Sequence, residues 1–170
     1  MVRMRIRRTA ILFGMWLGSL VTGAEASIGY RVRVPMPVAV EQTAAVECIA
    51  RAIYWEVRGG STAGRLAVAQ VILNRAADPR WSSDPCAVVY QKVGHRCQFS
   101  WVCTPLRDRQ PADAVHWYLA KRAATQAMRG IPDITGRALY FHAHYVAPGW
   151  RHLQPTTRID GHIFYAERQR

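Results

Sequence analysis

Carboxylates are the scarcest chemistry in this chain: 11 Asp and Glu stand against 23 Lys and Arg in 170 residues, a formal net charge of +12. Any acid–base chemistry must come from a short list. No C-x-x-C pair occurs, which argues against zinc on the four cysteines. No apolar run reaches the roughly 20 residues of a membrane-spanning helix. Neither an internal repeat nor a low-complexity tract is present, so repeat architectures and disordered spacers drop out. The positive charge is not gathered into one run, which argues against a nucleic-acid tail.

What is present begins with an export signal. Arg3, Arg5, Arg7 and Arg8 form a basic start, residues 10–21 an apolar stretch, and Ala24-Glu25-Ala26 a small-x-small cleavage site, so residues 1–26 read as a signal peptide that is removed. Without its four Arg and one Glu the chain keeps 19 positive and 10 negative charges, a net of about +9. Such a field favours polyanions. For an exported protein these are the acidic cell wall, lipopolysaccharide or phospholipid surfaces rather than nucleic acid. Export also places Cys48, Cys86, Cys97 and Cys103 where disulfides persist. Three pairings are open, and Cys97 with Cys103 and Cys48 with Cys86 is the favoured one. It closes a small loop and ties the first helix to a distant segment.

Residues 27–43, with Pro35 and Pro37, read as an extended lead-in, and residues 44–170 as one domain. Thr43 is a candidate cap for a helix with Val46, Ile49, Ala50, Ile53, Tyr54 and Val57 on its apolar face, and Gly59-Gly60 a left-handed stop. Ser61 or Thr62 can cap a second helix carrying Leu66, Val68, Ala69, Val71 and Ile72, ended by Asp78-Pro79. These two helices form a hairpin around Glu56. Residues 80–110 read as a bridged loop region with a short helix near 86–90. Pro111 opens another helix through Val115, Trp117, Tyr118, Leu119, Ala123, Ala127 and Met128 to Gly130. Residues 138–146 and 162–165 read as strands, the second after an Asp160-Gly161 turn. The fold class is α+β, mainly helical, with a small antiparallel sheet toward the C-terminus.

Glu56 raises a question of its own, because Ile49, Ile53 and position 56 share one face of the first helix, and that face should be apolar. Burial there would hold the carboxyl protonated near neutral pH, and the negative end of the helix dipole acts in the same direction. A protonated carboxyl can serve as a general acid at a glycosidic oxygen. The plainer reading pairs Glu56 with Arg51, Arg58 or Arg75. His142-Ala143-His144, with His152 or His162, offers a second chemistry, the ligand set of a zinc amidase. No acid follows at ligand spacing.

The segments "CIARAIYWEVRGGSTAGRLAVAQVILNR", "CQFSW" and "FHAHYVAPGW" with "GHIFYAE" together resemble the SleB-type cell wall hydrolases, the spore-cortex-lytic family, from about Cys48 to Glu167. The resemblance implies a lysozyme-like fold and a lytic transglycosylase acting on peptidoglycan glycan strands without a cofactor. It makes Glu56 the catalytic acid and base. Asn74, Gln98, Phe99 and Ser100 match family positions and become candidate substrate or site-shaping residues. Tyr140, His142, Tyr145 and Trp150 are candidates to line the groove, and Arg58 to touch substrate, turned away from Glu56.

Two departures stand out. Relatives commonly have a second acid where this chain has Gly60, and often an Asp-Gly where it has Cys103-Thr104-Pro105. If hydrolysis rather than transglycosylation occurred, Asp160 or Asp108 would be the second carboxylate. The rival classes are a metal-dependent peptidoglycan amidase and a non-catalytic wall-binding module. The expected state is a monomer in the periplasm or outside the cell, without stable membrane insertion.

Overall fold

The computed structural model describes residues 38–168, and the signal peptide expected at 1–26 lies outside them. The first helix, α1 (Val38–Val57), starts before Thr43, which therefore lies within it rather than capping it. The reason is local: neither Pro nor Gly interrupts the chain between Val38 and Val57, so the helix extends back nearly to Pro37. Residues 38–43, read from the sequence as part of an extended lead-in, are helical, and the rest of that lead-in lies outside the described residues. At the other end, Gly59 and Gly60 do not take positive φ, contrary to expectation. Gly60 answers to space instead, since a Cβ on it would lie 2.9 Å from Asp160 Oδ2.

Helix α2 (Thr62–Ala76) is capped by Ser61, whose hydroxyl accepts from the Gly64 N–H. Every residue from Gly64 to Ile72 is buried, because α2 packs against α1, α4 and the short helix α3 (Pro85–Val89) and meets the sheet through Ala67 and Val71. A helix covered all round is a core element, not an amphipathic surface one. Helix α4 (Ala114–Met128) begins at an Asp113 cap, not at Pro111, since the Asp113 carboxylate accepts the His116 N–H at 3.0 Å. Its buried residues are Ala120, Ala123, Ala124 and Ala127, whereas Val115 and Tyr118 face water. Small side chains bring α4 close to its neighbours.

Between α3 and α4 runs the bridged region. It holds the two-residue strands β1 (Lys92–Val93) and β2 (Arg96–Cys97) and two 3-10 turns, Ser100–Cys103 and Pro105–Arg107. Both disulfides form as favoured, Cys48–Cys86 and Cys97–Cys103. The C-terminal sheet has the order β3-β5-β4, all antiparallel: β3 (Tyr140–Ala143), β4 (Leu153–Ile159) and β5 (His162–Glu167). The two strands read from sequence are β3 and β5, paired with Tyr140 opposite Tyr165. Asp160-Gly161 turns the chain between β4 and β5, with Asp160 at φ 50°.

Strand β4 is an addition to the reading. It is a mostly exposed edge strand containing Pro155, and its register skips at Thr156. The observed class is α+β, mainly helical. Among the described residues no helix is long and apolar enough to cross a membrane.

Candidate active site

Segment 132–139 has no regular structure, so its backbone groups need partners from elsewhere. Three side chains on one side of α2 supply them. Gln70 donates to Pro132 O at 2.7 Å and accepts from Ile134 N at 2.9 Å. Asn74 Nδ2 donates to Ala138 O at 3.1 Å and to Asp133 Oδ2 at 3.2 Å. Arg75 Nε donates to Leu139 O at 2.7 Å. This fastening delivers β3 to the edge of the helical layer and opens a cleft of about 330 Å3 there.

The cleft is lined by Glu56 and Arg75 from the helices, Gln98, Phe99 and Ser100 from the bridged loop, and the sheet side from Tyr140 to Trp150 with His162. Of the candidate residues, Glu56, Gln98, Phe99, Ser100, Tyr140, His142, Tyr145 and Trp150 therefore come together. Asn74 and Arg58 do not. Asn74 lines a separate hollow with Arg137 and Leu139 and is occupied in loop fastening. Arg58 lies over the Tyr54 ring, 5.2 Å from its centroid, and donates to the Tyr54 hydroxyl at 3.2 Å, so it is turned away as anticipated.

Glu56 is half-buried in the last turn of α1. Removal from water pushes its carboxyl up to about 7, and the positive charge of Arg75 opposes that rise. The plain pairing with an Arg does not form: among the described residues the Glu56 carboxyl has no hydrogen-bond partner and no cation within ion-pair distance. Arg75 is only 3% exposed, and burial lowers its pKa to about 10, leaving it a cation at neutral pH. Its guanidinium lies over Phe99 and Tyr140, 5.7 and 5.9 Å from the ring centroids. Gln98, with its amide turned carbonyl inward, accepts from Arg75 Nη2 and Nη1 at 2.9 and 3.0 Å. From the sequence alone Arg75 is no more than a candidate pairing partner for Glu56. Its length and its place at the end of α2 were the available signals for a role in the cleft.

Aromatic faces make up much of the sheet side. Trp150 packs on Tyr140, His142 and Tyr165, while Tyr145 stands 81% exposed at the rim. His142 uses both ring nitrogens, one toward Ala143 O at 2.8 Å and one toward the Tyr165 hydroxyl at 2.9 Å. The His144 ring meets Gly161 O at 3.1 Å, and β3 ends before it, so the alternation that put His142 and His144 on one strand face stops short. Among the described residues no three His, Cys, Asp or Glu side chains converge as a metal-ligand set.

Neither proposed second carboxylate reaches the cleft. Asp160 accepts from the backbone N–H and the hydroxyl of Ser61 at 2.9 and 3.0 Å, and Asp108 is exposed at the end of the second 3-10 turn. Among the described residues Glu56 is the only acid in the lining.

Comparison with known proteins places this geometry in a family. The spore cortex-lytic enzyme of Halalkalibacterium halodurans is 30% identical over 120 residues, 70% of this chain and 34% of that protein, so the chain spans about a third of its length. The catalytic domain of the germination-specific lytic transglycosylase SleB from Bacillus anthracis superposes with a TM-score of 0.60 at 28% identity, over 78% of this chain and all of that one. The catalytic domain of Bacillus cereus SleB gives 0.59 at 27% identity, over 81% of this chain and 99% of that one. The sequence pattern of the Cell Wall Hydrolase family matches residues 59–165, a span that opens just after Glu56. With most of the described fold inside that match, the chain belongs to the cell wall hydrolase family of enzymes.

Proposed function

We propose that the chain is an exported lytic transglycosylase that cuts peptidoglycan glycan strands between N-acetylmuramic acid and N-acetylglucosamine, with Glu56 as acid and then base. The observation that carries this reading is a single carboxylate, held near pH 7 by burial, in a cleft walled by aromatic rings. Hydrolysis by the usual routes needs two carboxyl groups about 5 to 9.5 Å apart. A transglycosylase needs one.

In the first half of the reaction, protonated Glu56 gives its proton to the glycosidic oxygen as the bond to muramyl C1 breaks. In the second half, the Glu56 carboxylate takes the proton of the muramyl C6 hydroxyl as that oxygen bonds to C1, closing a 1,6-anhydro ring. No water enters, and Glu56 finishes protonated as it began. The attacking hydroxyl belongs to the same sugar, so proximity replaces a second reactant. Tyr140, Tyr145 and Trp150 offer faces for sugar rings, and Gln98 and Ser100 polar atoms for N-acetyl and lactyl oxygens, while Phe99, only 2% exposed, backs the cleft wall. The surplus of basic residues favours retention on an acidic wall.

The test is mass spectrometry of muropeptides released from purified sacculi by the chain from residue 27 onward with both disulfides formed, beside Glu56→Gln. Anhydromuramyl products that vanish in Glu56→Gln are expected. Reducing ends would overturn the transglycosylase step, and binding to sacculi without any soluble product would leave a wall-binding module.

A further inference from the structure

Of all the charged groups outside the candidate acid, Arg75 is the one whose position the chemistry above leaves unexplained. A buried guanidinium in the same cleft as a half-buried carboxylate would ordinarily close onto it as an ion pair. Here it does not, because its donors are engaged elsewhere. Nε is committed to Leu139 O at 2.7 Å, while Nη1 and Nη2 are committed to the Gln98 carbonyl at 3.0 and 2.9 Å. The guanidinium also lies over the Phe99 and Tyr140 rings. Three of the five N–H donors thus face backbone and amide partners that arrive from two different segments.

We propose that Arg75 is a positioning residue, fastened away from Glu56 by Gln98 and Leu139 so that its charge acts on the carboxyl across the cleft without forming an ion pair. The inference rests on the acid–base duty proposed for Glu56. A carboxyl in an apolar site with no cation near would give its proton up only reluctantly, because the carboxylate left behind would be unsupported. One in direct ion pairing would be ionised at the start, with no proton to give, and would be a weak base toward the C6 hydroxyl. The fastened cation holds Glu56 between these limits.

The other titratable groups lining the cleft are His142 and His162 on the sheet and the phenols of Tyr140 and Tyr145. Burial keeps His162 below the ordinary imidazole range. Helices α3 and α4 contribute no group to the lining. On α1, Arg58 is turned onto Tyr54, and Arg51 donates to the carbonyls of Arg107 and Arg109.

Two variants give shifts of opposite sign, which a purely structural role for Arg75 would not produce. The Glu56 carboxyl is titrated by carbon-13 NMR in the free enzyme, with Glu56→Gln identifying the signal. Arg75→Met removes the cation, and the midpoint rises by about one pH unit. Gln98→Leu leaves the cation but releases its Nη atoms to swing onto Glu56, and the midpoint falls by a comparable amount. On sacculi, the alkaline limb of the kcat/KM profile moves with each midpoint.

An unmoved or raised midpoint in Gln98→Leu overturns the proposal, and should Arg75→Met fail to fold, Gln98→Leu decides alone. The titration needs no substrate, so the two readings separate. Shifted midpoints without anhydro products sink the transglycosylase and leave the coupling of Arg75 to Glu56 standing, whereas anhydro products with unmoved midpoints do the reverse.

Discussion

The Asp160 carboxylate sits where a side chain on Gly64 would have to go: a Cβ built on Gly64 lies 2.1 Å from Asp160 Oδ2. The same oxygen accepts two hydrogen bonds from Ser61, whose hydroxyl in turn caps Gly64 N at 3.1 Å. An anion at the N-terminus of α2 also meets the positive end of the helix dipole. The turn between β4 and β5 is thus plugged into the start of the central helix.

This reverses a familiar substitution. Gly to Ala inside a helix ordinarily stabilises by about 1 kcal/mol. At Gly64 the methyl would expel the carboxylate from its seat, so Gly64→Ala should destabilise by about 1 to 3 kcal/mol in urea unfolding. Combined with Asp160→Ala the penalty of the methyl should largely disappear, and a coupling energy above about 1 kcal/mol in that double-mutant cycle is the expected result.

Glu56 should cost the fold stability in the pH range where it ionises. Its folded-state value, about 7, lies above the ordinary 4.5, so between these limits the native protein binds more protons than the unfolded chain. Stability is then fully present below about pH 4.5 and is lost as pH rises through 7, by at most about 3 kcal/mol. Glu56→Gln should abolish this dependence and unfold at a higher temperature than the native chain at pH 8. Calorimetry across pH 4 to 9 checks both signs.

The two disulfides should separate stability from activity. Cys48–Cys86 spans 38 residues, and chain-entropy arguments give its loss about 4 kcal/mol; Cys97–Cys103 spans 6 and gives about 2. The smaller bridge nevertheless flanks Gln98 and Phe99, which touch Arg75. Replacing Cys97 and Cys103 by Ser should therefore lower glycan cleavage by more than the Cys48, Cys86 pair does at temperatures where both variants stay folded. Product release from sacculi beside thermal melts checks the ordering.

Glu56 could be picked out from the chain because an acid on an apolar helix face is a local contradiction, visible without knowing what lies opposite. The strands β3 and β5 could be read for a similar reason, since aromatic residues cluster in both. β4 could not, because an exposed edge strand of Gln154, Pro155, Thr156, Thr157 and Arg158 has the composition of a loop and owes its extension to pairing with β5. Asn74 and Arg75 show the limit most clearly. They are adjacent in sequence and both polar on a buried helix, yet a step of about 100° around the axis sends one to the loop at 133–138 and the other into the cleft. Only the position of segment 132–139, fixed by contacts far along the chain, decides which is which.

Helix α2 is held to the C-terminal half at both ends, by Ser61 to Asp160 at its start and by Arg75 to Leu139 at its finish. Its 15 residues are therefore a ruler of about 22 Å between the β4–β5 turn and the entry to β3. Most surface loops absorb an added residue at little cost. This helix has no such slack. One residue gained or lost within it would change the span and turn the far end by a quarter revolution or more, leaving the cap seated with Arg75 out of the cleft, or Arg75 seated with the cap undone.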